Sequence, residues 1–319
     1  FKDFTVAVSD LVTAVEAIDE NSTVADIENA QQKLKNTLIA LQRCKPFDIG
    51  DIESNLYLPN IAQWPILNVE IETIIGGSNS INSNLLGSIG ANQKGLFGME
   101  YLLFNDQKSS NEILPMFTSE IDNDRRRAYL LQLALEVERL VTQMNNTWIN
   151  EYQSEFLSST QNGVSGSENR IYNESVAFID EVLNHTRTPY DDYSNNGINP
   201  NLSNLIAYNS QYSIELLNEA NKILLEIFEN GVNDGLADHL DFVNAKWEDE
   251  TLVSDGVTSS FNDNEVLLNQ ISNLEEAILN NESAVEELIE SLKSTLLLYR
   301  SDLVSWLSLI LLVSDNDGD

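Results

Sequence analysis

The sequence predicts an all-α protein made of two helical bundles, and three observations predict it. In both halves, apolar residues recur at three- and four-residue steps over long segments, the spacing that lines one face of an α-helix. No stretch sustains the apolar/polar alternation of a half-buried strand. Between the two sets of periodic segments lies SSTQNGVSGSEN, residues 158–169, whose Ser, Gly and Asn content marks a linker. The expected domains are residues 1–160 and 161–319, and a chain of 319 residues is long enough for one large or two medium cores.

Each element follows in order. Phe1, Phe4, Val8, Leu11, Val15 and Ile18 form the stripe of a first amphipathic helix. Thr23 followed by Asp26 is a start signal for the second, whose apolar face is Ile27, Leu34, Leu38 and Leu41, with Pro46 just beyond its end. Residues 48–90 read more loosely: Pro59, Pro65 and the Gly76-Gly77 break surround an apolar run, residues 66–75, expected as a short helix between loops. After Pro115 comes a long stripe of Leu130, Leu133, Ala134, Val137, Val141, Met144 and Trp148. Arg125, Arg126 and Arg127 crowd its first turn, the end at which the helix dipole disfavours cations, so pairing with nearby carboxylates is the expected explanation.

The second half repeats this grammar. Tyr172, Val176, Ile179 and Leu183 predict a helix ending before Pro189; Ile214, Leu217, Ala220, Leu224 and Ile227 predict another; Leu267, Ile271, Leu274 and Ile278 a third. The last and longest is expected to start at a Ser283/Glu286 capping box and to run through Leu292, Leu296, Tyr299, Leu303 and Trp306 to Ile310.

Composition removes several function classes. There are 51 acidic residues against 17 basic, a formal net charge of -34, which repels nucleic acid and anionic headgroups. The one cysteine, Cys44, forms no internal disulfide and no metal-type pair. The apolar run 303–313 is shorter than the about 18 residues a membrane span needs, so no transmembrane segment is expected. The sequence begins at Phe1 with no basic-then-apolar leader, as expected of a processed or trimmed chain.

The stretch that organises the chain is residues 94–106, KGLFGMEYLLFND. Gly95 and Gly98 each cost about 1 kcal/mol relative to Ala inside a helix. They therefore mark a kink or restart at which backbone can approach a neighbour or ligand. Gly95, Glu100, Tyr101 and the Leu102-Leu103-Phe104 run resemble the signature of the imelysin family, Gly-x-His-x-x-Glu followed by an aromatic and a Leu-Leu-aromatic run. Phe97 stands where that signature has histidine. The closing Asp-Gly-Asp, Trp64-Pro65, Trp148, and Ser210 and Ser213 in NSQYSIELL are further matches in the family's order. The resemblance implies a duplicated four-helix-bundle fold, an exported protein in the periplasm or on the cell surface, often a lipoprotein, a link to iron acquisition, and a peptidase label. Any membrane attachment would come through a lipid anchor outside this sequence.

Metal chemistry is thinly provided. A His and a Glu three residues apart on a helix can share an ion, but with Phe97 present only Glu100 remains, whereas zinc takes about three or four protein ligands including nitrogen or sulfur. Zinc is therefore not expected. Asp315, Asp317 and Asp319 alternate like the opening of a calcium loop, but the chain stops before a twelfth-position Glu, which excludes an EF-hand. The family resemblance implies instead that this tail folds back near the signature segment, where these aspartates and Glu100 would form an acidic pocket, with iron or calcium as the expected ion. Of the two histidines, His185 is placed at a helix end and His239, beside Asp238 and Asp241, on a solvated helix. Ser210 and Ser213 have no assignable base, and no Gly-x-Ser-x-Gly elbow exists.

The reading is an exported binding protein associated with iron or metal acquisition, taking a small ligand, a metal ion or another cell-envelope protein in a groove between the two bundles. Glu100 is its polar anchor, Gly95 and Gly98 permit close approach, and Phe97 with Trp64, Ser210 and Ser213 lines the groove. The alternatives are a metal-dependent peptidase and a diverged non-catalytic structural member.

Overall fold

The helical periodicities become helices in the computed structural model, which describes residues 1–196, 200–230 and 235–312. Among these residues all regular structure is helical, apart from one isolated antiparallel bridge between Lys246 and Leu252. The chain divides into two compact units. Unit 1 holds Phe1–Cys44, Gly50–Tyr152 and Leu202–Ser213; unit 2 holds the described residues of Lys45–Ile49, Gln153–Asn201 and Ile214–Asp319. Each is thus assembled from separated pieces of chain, and twelve residues from the second half, 202–213, belong to unit 1.

In unit 1 the main helices are α1 (Lys2–Glu16), α2 (Val24–Gln42), α3 (Gly95–Phe104), α4 (Ser110–Thr118) and α5 (Asn123–Thr147). The Asp26 carboxylate accepts from the Thr23 backbone N–H at 2.7 Å, the start signal read from sequence. α1 packs on α2, α2 on α3, α3 on α5 and α5 back on α1, a closed ring of four helices. Leu11, Ile27, Leu34, Leu38, Leu102 and Leu133 are completely buried inside it. The loose stretch before α3 forms four short helices, Asp51–Ser54, Tyr57–Ala62, Asn68–Ile75 and Ser83–Ser88; the third falls within the expected 66–75.

Unit 2 is built on α6 (Ser167–Asn196), α7 (Ser213–Glu229, whose first residue belongs to unit 1), α8 (Val253–Gln270) and α9 (Glu282–Leu298). α9 packs against both α6 and α8. Phe228 of α7 meets Phe261 of α8 and Tyr299 just beyond α9, with ring centroids 6.0–6.4 Å apart within this trio. A polar knot sits inside: buried Asn264 donates to Asn221 (3.2 Å) and Thr295 (3.0 Å) and accepts from Ser291 (2.6 Å).

Several expectations are corrected here. α6 runs through Pro189 instead of ending before it; proline removes one N–H but the helix continues on either side. His185 therefore lies inside α6, beside Glu181. The stripe from Leu267 to Ile278 belongs to two helices, since α8 stops at Gln270 and a new helix, Leu274–Asn280, is capped by the Asn273 side chain. α8 itself, with Val253, Val257, Phe261 and Leu268 buried, was not anticipated. The Ser283/Glu286 box does not form: the N-cap of α9 is Asn281, two residues earlier, and it makes no side-chain cap. Nor does that helix continue unbroken to Ile310. It passes into a π-helical turn, Tyr299–Leu303, and a last short helix, Val304–Leu307, that Ser308 ends in the left-handed conformation. Beyond it the Asn169 amide grips both the N–H (2.6 Å) and C=O (3.0 Å) of Ile310.

Candidate functional site

Nine of the ten residues from Gly95 to Phe104 carry no charge, and a helix that is apolar all round belongs inside a protein. All ten residues of α3 are buried. The helix restarts at Gly95, whose φ of +77° suits glycine alone, and a Cβ there would stand 2.4 Å from the Ile61 carbonyl oxygen. Gly98 has no such need: a Cβ would meet only Leu133, Gln93 and Ile71 at 3.5–3.8 Å. Of the two glycines singled out from the sequence, Gly95 makes the close backbone approach and Gly98 does not. α3 ends through Asn105, Asp106 and Gln107, all at positive φ.

Glu100 is the single charged side chain on α3, and it is 0% exposed. A carboxylate removed from water in this way needs hydrogen bonds to offset the lost hydration. It finds them in the 202–213 segment of the same unit. One oxygen accepts from the Ser210 backbone N–H at 2.7 Å and the other from Asn209 Nδ2 at 3.0 Å. Asn209 Oδ1 in turn accepts from the Asp106 backbone N–H at 2.9 Å, and Gln211 donates to Gln107 at 2.9 Å. A staple thus runs from α3 and its C-terminal loop to a segment about 110 residues later. Ser210 Oγ donates to Ala207 O (3.2 Å) and Ser213 Oγ to Ile206 O (2.5 Å), so both hydroxyls shape the segment. Lys35 stands over the rings of Phe104 and Tyr212, 5.5 and 4.7 Å from their centroids.

The other faces of α3 are equally occupied. Phe97 is completely buried and packs edge-on against Trp64, with centroids 5.4 Å apart. Tyr101 donates to Glu72 at 2.8 Å, and Arg126 donates to the second Glu72 oxygen at 2.6 Å. Burial first, and the Glu72 carboxylate second, push the Tyr101 phenol well above its ordinary range. Arg125 donates to the carbonyls of Ile74 and Ile75 at the end of a short helix, and Arg127 to Phe117 O and Asn123. The arginine triplet is therefore spent on carbonyls, one amide and one carboxylate.

The residues picked from sequence are thus brought together in part. Glu100 and Ser210 touch, Ser213 supports the same segment, and Trp64 meets Phe97. Asp315 and Asp317 lie outside the described residues. Among the described residues, no three His, Cys, Asp or Glu side chains are placed to share an ion. Asn209 and Ser210 meet Glu100 through N–H groups, whose hydrogens occupy one accepting direction on each oxygen. Both histidines belong to unit 2, His185 with Glu181 at 3.0 Å and His239 with Glu168 at 2.5 Å. Asn209 was missed by sequence reasoning, although it directly precedes Ser210 in NSQYSIELL. Gln31 was missed too; it is buried, donates to Leu103 O at 2.7 Å and accepts from Ser110.

The family model described as imelysin, a peptidase M75 family, matches residues 1–293. No curated protein gives a significant match. Solved structures share this fold, among them the following two. One is an imelysin-like protein from Psychrobacter arcticum 273-4, with a TM-score of 0.76 and 14% identity, covering 98% of this chain and 92% of that one. The other is a candidate iron-regulated protein A precursor from Parabacteroides distasonis ATCC 8503, with a TM-score of 0.75 and 12% identity, covering 96% and 90%. Among the described residues no helix is long and apolar enough to cross a membrane.

Proposed function

This chain belongs to the imelysin family, and from that premise we propose that it is an exported, envelope-associated binding component linked to iron acquisition, whose signature helix is a scaffold and not a catalytic or metal centre. The observation that carries this reading is the fate of Glu100: fully buried, with both oxygens accepting N–H donors from Asn209 and Ser210. Such a carboxylate is engaged in holding two distant pieces of chain together. A catalytic or ligating carboxylate needs an oxygen directed at substrate or ion, with nitrogen or further oxygen ligands beside it. Here Phe97 replaces the imidazole of the family signature and is sealed against Trp64. The iron link is supported by the family and by the description of one structural neighbour as iron-regulated. Export, and a lipid anchor outside this sequence, rest on the same resemblance.

The test is Glu100→Gln. A glutamine amide can accept from one of the two donors but turns its own NH2 toward the other, an unmet pairing of about 1–3 kcal/mol. The variant is expected to lose that much stability in urea unfolding. Metal content after chelator-free purification, affinity for iron, zinc and calcium by calorimetry, and peptide hydrolysis should be the same as in the parent chain. Hydrolysis abolished by a chelator and by Glu100→Gln in a folded protein would establish the peptidase reading instead. A stoichiometric ion lost in the same variant would restore Glu100 as a ligand.

A further inference from the structure

Unit 2 contains a cavity of about 970 Å³, and every described residue lining it belongs to that unit. Its walls come from α6, α7, the helix Gln153–Ser158 and the helix Leu236–Phe242. The helical periodicity that builds the unit also builds the cavity: Ile223 and Ile227, four apart on α7, lie on the same wall as Glu226, and Ile171 stands one turn after Glu168 on α6. Phe156 and Leu236 complete an apolar floor. At the mouth, Phe242 is 88% exposed, an aromatic face left in water.

The Asp and Glu side chains around this floor face no Lys or Arg among the described lining residues. Glu168, Glu226 and Asp238 line it together with His239. Glu168 pairs with His239 Nδ1, and Asp238 accepts from the Gly235 backbone N–H at 2.9 Å. A space of this size, largely apolar with a few polar groups, is typical of small-molecule sites rather than of packing defects, which are far smaller.

We propose that this cavity binds a small organic cation with an apolar body, an alkyl- or arylammonium, its hydrocarbon on Ile171, Ile223, Ile227 and Phe156 and its positive head among Glu168, Glu226 and Asp238. Carboxylates attract the head, Phe242 offers a ring face for it, and the isoleucines desolvate the tail. The site is independent of the Glu100 staple and of the family reading built on it.

The experiment titrates octyltrimethylammonium into the intact chain by calorimetry at fixed ionic strength, with octyl sulfate and tetramethylammonium as controls for charge sign and for the tail. Saturable one-to-one binding of octyltrimethylammonium alone is expected. Glu168→Gln with Glu226→Gln should weaken it roughly three- to tenfold, the size expected for two partly exposed charge contacts. Ile223→Trp should abolish it by filling the floor. The whole chain is strongly acidic, so Glu28→Gln with Glu287→Gln, both exposed and outside the cavity lining, serves as the control and should change nothing. Absence of binding, equal binding of octyl sulfate or of tetramethylammonium, or equal loss in the control pair would each overturn the proposal.

Discussion

Adding one methyl group to Gly95 and one to Gly98 should produce opposite results, although the two glycines are three residues apart on one buried helix. At Gly95 the new Cβ would stand 2.4 Å from Ile61 O, 2.9 Å from Ile61 C and 3.3 Å from Asn60 O. All three are backbone atoms of the helix Tyr57–Ala62, and Ile61 is fully buried, so they cannot swing aside as a side-chain tip would. The residue also holds φ at +77°, a conformation that costs an L-residue about 1–2 kcal/mol. Overpacking adds about 1–3 kcal/mol. Gly95→Ala should therefore lose roughly 2–5 kcal/mol. At Gly98 the methyl meets Leu133 Cδ1 at 3.5 Å and nothing nearer, so Gly98→Ala should be neutral or gain up to about 1 kcal/mol from helix propensity. With two units, one global unfolding curve does not isolate unit 1. Hydrogen exchange read by mass spectrometry on peptides from α3 and from α9 does. Protection of α3 should fall sharply in Gly95→Ala alone, with α9 unchanged. Equal loss in both variants, or a larger loss at Gly98, would refute the argument that backbone contact at Ile61 is what requires glycine.

Two further outcomes concern unit 2. Burial raises the Glu181 carboxyl, but the Lys45 ammonium and His185 outweigh that and hold it well below its ordinary value of 4.5. A depressed carboxyl contributes stability that is complete above pH 4.5 and is lost as pH falls through the depressed value. Lys45→Met should accordingly move the acid-unfolding midpoint, followed by circular dichroism, to higher pH; an unmoved midpoint would show that the pair contributes nothing. Asn264→Ala leaves buried Asn221 and Thr295, and half-buried Ser291, each short of a partner and should cost about 2–4 kcal/mol in urea unfolding. A loss below about 0.5 kcal/mol, the scale of a neutral surface change, would mean that the knot is satisfied by other groups.

The residues themselves settled whatever depends on near neighbours. Helix formation is such a property, because the 3.6-residue repeat places residues three and four apart on one face wherever the helix lies, and the stripes of α1, α2, α5 and α7 were legible for that reason. The Thr23/Asp26 start was legible from one side chain reaching three residues back, whereas the complete burial of α3 was not, since Glu100 and Phe97 were read as lining a groove. Pro189 and the Leu267–Ile278 stripe misled, because a proline tolerated inside a helix and a stripe continuing across a break look the same in one dimension as a stop and a single helix. What only the tertiary structure decided is where Glu100 spends its charge. Its partners, Asn209 and Ser210, lie 109 and 110 residues away, and no local spacing rule links them. The same holds for Gly95, whose requirement comes from the Ile61 carbonyl, and for the cavity of unit 2, whose isoleucines and carboxylates form ordinary helix faces until α6, α7 and the helix Leu236–Phe242 are set around one space. Periodicity sorts side chains into faces; which face meets which depends on how the chain returns on itself, and that is set by the packing of the whole unit.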